Sequence, residues 1–182
     1  MKKTTAVKEQ ILKTASRLFY EQGYNLTGIN QIITEAAIAR GSLYIHFSSK
    51  EELCVAYLKN KHTRWFEDLK NFIDKKSDSE QKVVALFDFL IVNAPKENFR
   101  GCSFLNIVTE VPNESKITDE AARNKKVLRD FIHQLVEGLE DAKNEDLADE
   151  IYLLFEGAIT ESQMQRSIWP IQTAKKLLNK LI

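Results

Sequence analysis

The chain has 182 residues, 43% of them hydrophobic, and equal numbers of acidic and basic side chains, so its net charge is zero. This composition supports one core or two small ones. The chain has no apolar run of 18 residues and no apolar stretch behind its N-terminal lysines, so we expect neither a membrane span nor a signal peptide. Two cysteines are too few for a disulfide framework, which predicts a cytoplasmic protein.

The N-terminal third predicts four helices. A first helix over about Thr5 to Gln22 has one apolar face and stops at Gly23. Thr27 is the predicted N-cap of a short second helix, and a short third helix covers about residues 39–45. Ser48 or Ser49 caps a fourth helix that runs to about residue 75, with Ser49 and Glu52 forming a capping box.

The rest of the chain predicts five more helices. The polar sequence SDSE at 77–80 caps a helix ending near Pro95, and a short helix covers about residues 102–111. Long helices follow over about residues 117–143 and 145–167, the second capped by Asn144 or Asp146. Pro170 suits the first turn of a last helix that ends at Ile182. We therefore predict an all-α protein of about nine helices, with no period-two alternation that would indicate a sheet.

Charge divides the chain unevenly. Residues 1–50 have seven basic and three acidic side chains, a net charge of +4, so the remaining residues sum to −4. A basic head on an acidic body is typical of a DNA-binding domain joined to a separate partner domain.

Residues 27–53 have the organisation of a helix-turn-helix motif. Apolar Ile29, Ile32, Ile33 and Ala36 recur at helical spacing, Ala37 and Ile38 form a turn, and polar side chains crowd the following short helix. Arg40 can bridge guanine or phosphate, and Ser42 can contact a base edge or a phosphate. The alternative is a solvated polar helix in a small bundle.

Residues 6–55 closely resemble the DNA-binding domain of the TetR family of transcriptional repressors. The family pattern is filled at Phe19, Gly23, Tyr24, Thr27, Ile32, Ala36, Gly41, Leu43, Tyr44, His46, Phe47, Lys50, Glu52 and Leu53. Ala37 departs from it, because the family usually has glycine there, and a positive φ costs alanine more than glycine. The resemblance implies a DNA-binding domain over residues 1–50 and a helical effector-binding and dimerisation domain over residues 51–182.

The resemblance also implies a set of DNA contacts on double-stranded palindromic operator DNA. Tyr44, Lys50 and Thr27 are expected to hold the DNA backbone, while His46 either lies near it or caps and packs its own helix. The full predicted set is Thr27, Ala39, Arg40, Gly41, Ser42, Tyr44, His46 and Lys50.

An effector cavity among the central helices is a further implication of the resemblance. The candidate lining residues, any of which is alternatively ordinary core, are Trp65, Leu69, Leu86, Phe89, Leu90, Phe104, Phe131, Leu135, Tyr152 and Phe155. Few charges fall on these faces, which favours a small apolar or aromatic effector.

Cys102 has two readings. It follows a glycine at a predicted helix N-terminus near Arg100, where a thiol pKa is lowered, and its G-C-x-x-x-N segment resembles a family subgroup with members that respond to electrophiles. It is alternatively a small packing residue, as we expect for Cys54.

Apolar stripes on the last two helices predict a homodimer, because in the family such helices pair in a four-helix interface. The predicted interface residues are Phe155, Ala158, Ile159, Leu177, Leu178 and Leu181. The alternative is that the stripes are internal core.

The sequence favours a ligand-responsive DNA-binding regulator, a repressor released from its operator by an effector, with thiol sensing at Cys102 as the variant mechanism. An enzyme is not predicted, because the sequence has no Ser-His-Asp set, phosphate loop or paired metal-ligand spacing, and we expect no cofactor or metal. A helical interaction module without DNA binding is disfavoured by intact Arg40, Tyr44 and Lys50.

Overall fold

The computed structural model describes residues 2–112, 115–139 and 146–182, with side chains from residue 5 onward. Within these ranges the chain forms nine helices and no strand, so the all-α prediction is confirmed. The helices are α1 Lys2–Gln22, α2 Ile29–Glu35, α3 Arg40–His46, α4 Lys50–Ile73, α5 Ser79–Lys96, α6 Ser103–Val108, α7 Lys116–Val136, α8 Leu147–Gln165 and α9 Trp169–Leu181.

Several helix ends follow from local capping chemistry. Gly23 ends α1 with a φ of +89°, a backbone conformation that glycine adopts without steric cost. Asp78 caps α5 by accepting a hydrogen bond from the Gln81 N–H at 2.7 Å. The Ser49 hydroxyl accepts from the Glu52 N–H at 3.1 Å, as the predicted capping box requires, while the Glu52 carboxylate accepts from the Ser48 N–H.

Other boundaries differ from the predictions. Gly28, not Thr27, is the N-cap of α2, because the Thr27 side chain turns inward. Helix α7 ends at Val136 instead of near residue 143, since Glu137 and Gly138 form a turn. Asp146 is the N-cap of α8 but makes no side-chain capping hydrogen bond, and the alternative cap Asn144 lies outside the described residues.

The chain forms two compact units. The head unit contains residues 1–63 and 103–123, and the body unit contains residues 64–102 and 124–182. The head core joins α1, α2 and α3 to side chains of the later segment, notably Ile107 and Ile117. The body core lies where α5, α8 and α9 pack together, around Phe87 and Phe155.

The predicted division of function at residue 50 stays a prediction, and the compact units do not follow it. Helices α4 and α7 each have residues in both units. No helix in the described ranges is both long and apolar enough to span a bilayer.

Candidate DNA-binding surface

Helix α3 is anchored by one face and open on the other. Leu43 is fully buried and Phe47 is 5% exposed, so both hold α3 in the head core. The opposite face exposes Arg40, Gly41 and Tyr44, together with Ile45, whose side chain is 76% exposed. Sequence reasoning missed Ile45, although its position four residues after Gly41 places it on the same helical face. A short helix held this way is suited to enter a DNA groove.

The turn between α2 and α3 fixes the direction in which α3 points. Ala37 adopts a φ of +49°, the left-handed conformation that is unfavourable for alanine. The Gln10 side chain of α1 donates to the Ala36 carbonyl at 2.7 Å, and the Ile38 N–H donates to the Ile33 carbonyl at 3.2 Å. These hydrogen bonds hold the turn in spite of its strained residue.

Two arginines of the head unit, Arg17 and Arg40, differ in availability. The Arg17 guanidinium binds the carboxylates of Glu21 and Glu35, so it links α1 to α2. Arg40 is exposed at the first residue of α3 and forms no ion pair within the described ranges. A guanidinium without a protein counter-charge retains all its donors for a phosphate or a guanine edge.

Lys50 lies at the first turn of α4 and is half-buried. Its ammonium is 4.2 Å from the centroid of the Tyr24 ring, within cation–π range. Burial lowers the pKa of Lys50, and the charge of Glu110 opposes that shift. The ammonium is therefore positioned by the turn that follows α1.

The other predicted DNA contacts fall into two groups. Ala39 is exposed, and Ser42 and His46 are half-buried on α3, so all three remain predictions. Thr27 is completely buried; its hydroxyl donates to the Gly23 carbonyl at 2.6 Å and accepts from the Gln22 side chain at 3.2 Å. Its predicted contact with DNA is corrected accordingly: the Thr27 side chain supports the turn from inside the head.

Nine of the ten predicted effector-lining residues lie in the body unit. Phe104 instead lies in the head unit, with its ring centroid 6.1 Å from that of His62. Five of the nine are core side chains with at most 6% exposure, namely Leu69, Leu86, Phe89, Leu90 and Phe155. The half-buried members are Trp65, Phe131, Leu135 and Tyr152. Trp65 packs edge-on against Phe89 and Phe155, so these three rings form one connected cluster.

Cys102 lies beside a half-buried ion pair in the body unit. The Lys125 ammonium binds the Glu156 carboxylate at 2.5 Å, and the Cys102 side chain lies close enough to raise the pKa of Lys125. Burial acts to lower the pKa of Lys125, but Cys102 and Glu156 raise it, and the net shift is upward. The second carboxylate oxygen of Glu156, Oε1, is buried and has no hydrogen-bond donor among the described residues.

Cys102 is half-buried, whereas Cys54 is fully buried and its pKa is raised to about 12 by burial.

The predicted dimer residues divide between two faces. Phe155, Ala158 and Leu178 are buried in the core of the protomer, so their assignment to a dimer interface is corrected. Ile159 is half-buried, while Leu177 and Leu181 are exposed. Exposed apolar side chains that the sequence did not single out are Leu153 and Met164 on α8 and Trp169 on α9.

Comparison with known proteins places the head residues in a family. Residues 11–57 match the model for bacterial regulatory proteins of the tetR family. An uncharacterized HTH-type transcriptional regulator in the lacX 3′ region of Lactococcus lactis subsp. lactis is 34% identical over 106 residues, 57% of this chain and 54% of that one. The uncharacterized HTH-type transcriptional regulator YxaF of Bacillus subtilis (strain 168) is 55% identical over 49 residues, 26% of each chain. These matches thus span about half or less of the relatives' own lengths.

The fold extends the likeness over nearly the whole chain. A TetR-family transcriptional regulator from Streptomyces coelicolor has a TM-score of 0.87 at 24% identity, over 96% of this chain and 87% of that one. A helix-turn-helix head and a separate helical body define a helix-turn-helix transcriptional regulator. Within that class, residues 11–57 are similar to the TetR family, and the fold of the chain is similar to that of a TetR-family regulator.

Proposed function

We propose that this protein is a cytoplasmic repressor that binds palindromic duplex DNA as a homodimer and releases it when a small effector binds the body unit. The observation that carries the proposal is the outward face of α3, where Arg40, Gly41 and Tyr44 are exposed while Leu43 anchors the helix from behind. An exposed polar helix with a rigid attachment is what groove recognition requires.

On this proposal the contacts have distinct tasks. Arg40 binds a guanine edge or a phosphate, and Tyr44 and Lys50 bind the phosphate backbone, which fixes register without reading sequence. Ile45 adds an apolar group at the same face, and apolar side chains there contact the thymine methyl group.

The test is duplex binding by fluorescence anisotropy, with the duplex that wild-type protein selects from a random library. Arg40→Ala should weaken binding about tenfold or more, and Lys50→Ala should lower the slope of log affinity against log salt by about one. Lys176→Ala, an exposed change on α9, is the matched control and should bind like wild type. Unchanged binding by the Tyr44→Ala, Lys50→Ala double variant would refute the assignment of this face.

The exposed apolar side chains of α8 and α9 support the dimer. Leu153, Met164, Trp169, Leu177 and Leu181 are each at least 44% exposed, although the two helices already bury their other faces. A second copy would cover this surface by a two-fold contact. Two α3 helices would then read half-sites roughly 34–36 Å apart, or at a small expansion of that distance.

The body unit is the proposed effector site. Its aromatic cluster suits an apolar or aromatic ligand, and the buried Glu156 Oε1 offers a hydrogen-bond acceptor that has no donor in the described part of the chain. The effector therefore has an apolar or aromatic body with one hydrogen-bond donor. Helix α4 has Lys50 in the head unit and Trp65 in the body unit, so a ligand-induced change in α4 can alter DNA affinity by a typical coupling of about 1–3 kcal/mol.

The effector test uses matched pairs of compounds, substituted phenols and their methyl ethers, added to the protein–DNA complex. A phenol that releases DNA should lose most of its potency as the ether, and Glu156→Ala should remove that difference, because the acceptor is gone. Ligands that bind the body unit and leave DNA affinity unchanged would contradict the proposed mechanism.

A further inference from the structure

The segment Ser103–Arg123 belongs to the head unit. Within this segment, Glu110 in the turn after α6 is hydrogen-bonded to Asn25 in the turn after α1. Glu110 Oε2 accepts a hydrogen bond from the Asn25 backbone N–H at 2.7 Å. The Asn25 side-chain amide donates in return to the Glu110 carbonyl at 2.9 Å. These two reciprocal bonds join residues that are 85 positions apart in the sequence.

Gly23 makes room for this contact. A Cβ atom at Gly23 would lie 2.5 Å from Glu110 Oε1, closer than such atoms approach each other, and the φ of +89° also disfavours any side chain there. The carboxylate therefore lies directly against the backbone of the turn.

The same turn holds Lys50. Tyr24, between Gly23 and Asn25, packs against Phe19 with ring centroids 5.8 Å apart and receives the Lys50 ammonium on its ring at 4.2 Å. Burial lowers the pKa of Lys50, and the negative charge of the Glu110 carboxylate acts against that shift. The Gly23–Asn25 turn therefore contacts the Lys50 ammonium through the Tyr24 ring and the Glu110 carboxylate through the Asn25 N–H.

A second contact fixes the segment on the other side of Glu110. The Lys116 N–H donates to Glu51 Oε1 at 3.0 Å, and the Lys116 ammonium is 3.3 Å from Glu52 Oε1. Glu51 and Glu52 belong to the first turn of α4, directly after Lys50. Ile107 and Ile117, both buried in the head core, anchor the segment on either side of Glu110.

We propose that Glu110 is a positioning residue for DNA binding, which holds the Gly23–Asn25 turn so that Tyr24 presents Lys50 to the phosphate backbone. The inference rests on the proposed function of Lys50. It adds a residue from outside the helix-turn-helix motif to the DNA-binding apparatus.

The experiment compares Glu110→Ala with Glu110→Gln. Glutamine keeps an oxygen that accepts from the Asn25 N–H, whereas alanine leaves that donor unpaired. Hydrogen exchange of the Asn25 amide in the DNA-free protein measures the contact itself, and anisotropy on the library-selected duplex measures its effect. Glu9→Ala, an exposed change on α1, controls for the loss of one head carboxylate.

We expect Glu110→Ala to speed Asn25 exchange and weaken DNA binding, each about tenfold, the equivalent of one lost hydrogen bond to a charged group. Glu110→Gln should keep the amide protected and bind within about threefold of wild type, and Glu9→Ala should match wild type. Asn25→Ala, which removes only the side-chain donor, should give a smaller loss in the same direction and serves as the second variant if Glu110→Ala fails to fold.

Two results overturn the inference: an Asn25 amide that stays protected in Glu110→Ala, or a released amide with undiminished DNA affinity. Failure of the wild-type protein to bind any duplex at low salt is a different result. It would refute the proposed function while the exchange measurement still reports on the contact.

Discussion

Ala37→Gly should stabilise the head, although it removes a methyl group. Ala37 adopts a φ of +49°, and the left-handed conformation costs an L-residue roughly 1–2 kcal/mol. Glycine removes that cost, but it also raises the conformational entropy of the unfolded chain, which lowers the free energy of unfolding by about 0.4–1 kcal/mol. Because the Ala37 side chain is exposed, little packing is lost. The net gain is therefore about 0.8 kcal/mol.

We would measure amide hydrogen exchange at Ile38, because the Ile38 N–H donates across the turn to the Ile33 carbonyl. Tryptophan fluorescence is less suitable, since Trp65 and Trp169 both lie in the body unit. Exchange at Ile38 should slow about fourfold. Ala122→Gly, an exposed alanine inside α7, is the matched control and should destabilise by roughly 1 kcal/mol. Equal or faster Ile38 exchange in Ala37→Gly would show that the turn is not strained.

Three further outcomes follow from burial and capping. Leu177→Glu should convert the proposed dimer to a folded monomer, measured by light scattering, and a folded Leu177→Glu dimer would contradict the proposed interface. Leu178→Glu, which buries a charge in the protomer core, should instead unfold the protein. Cys102 should alkylate before Cys54 in timed labelling read by mass spectrometry, and equal slow labelling ends the sensor alternative. Asp78→Ala should lower the free energy of unfolding by about 1 kcal/mol in urea titration, and an unchanged value would show that the α5 cap is dispensable.

Local chemistry explains which parts of the fold were predictable. Gly23, Asp78 and the Ser49–Glu52 pair end or begin helices through contacts within a few residues, so the sequence is sufficient to place them. Thr27 failed as an N-cap because its hydroxyl is held inside the head by Gly23 and Gln22. A threonine before a helix looks the same in sequence whether its oxygen caps the helix or turns inward.

The proposed dimer surface shows a second reason why the sequence was insufficient. Helical periodicity identifies the apolar stripe of α8 and α9, and most of that stripe is the protomer's own core, including Phe155 and Leu178. Cores and interfaces use the same residue types, so periodicity alone does not separate Leu177 from Leu178. The distinction requires the neighbouring helices, since only packing against α5 decides which face is already covered.

The head unit includes more of the chain than the helix-turn-helix motif, so the motif alone does not define the whole unit. The family pattern ends at Leu53, yet the core around Ile11, Leu43 and Leu53 also includes Ile107 and Ile117. Burying an aliphatic side chain contributes about 1.5–3 kcal/mol, so these two residues are a large share of what stabilises a small head. Residues from beyond position 100 are therefore part of the head unit itself. A change in the position of that segment would act directly on the Gly23–Asn25 turn and on Lys50, and would not require a change in α3.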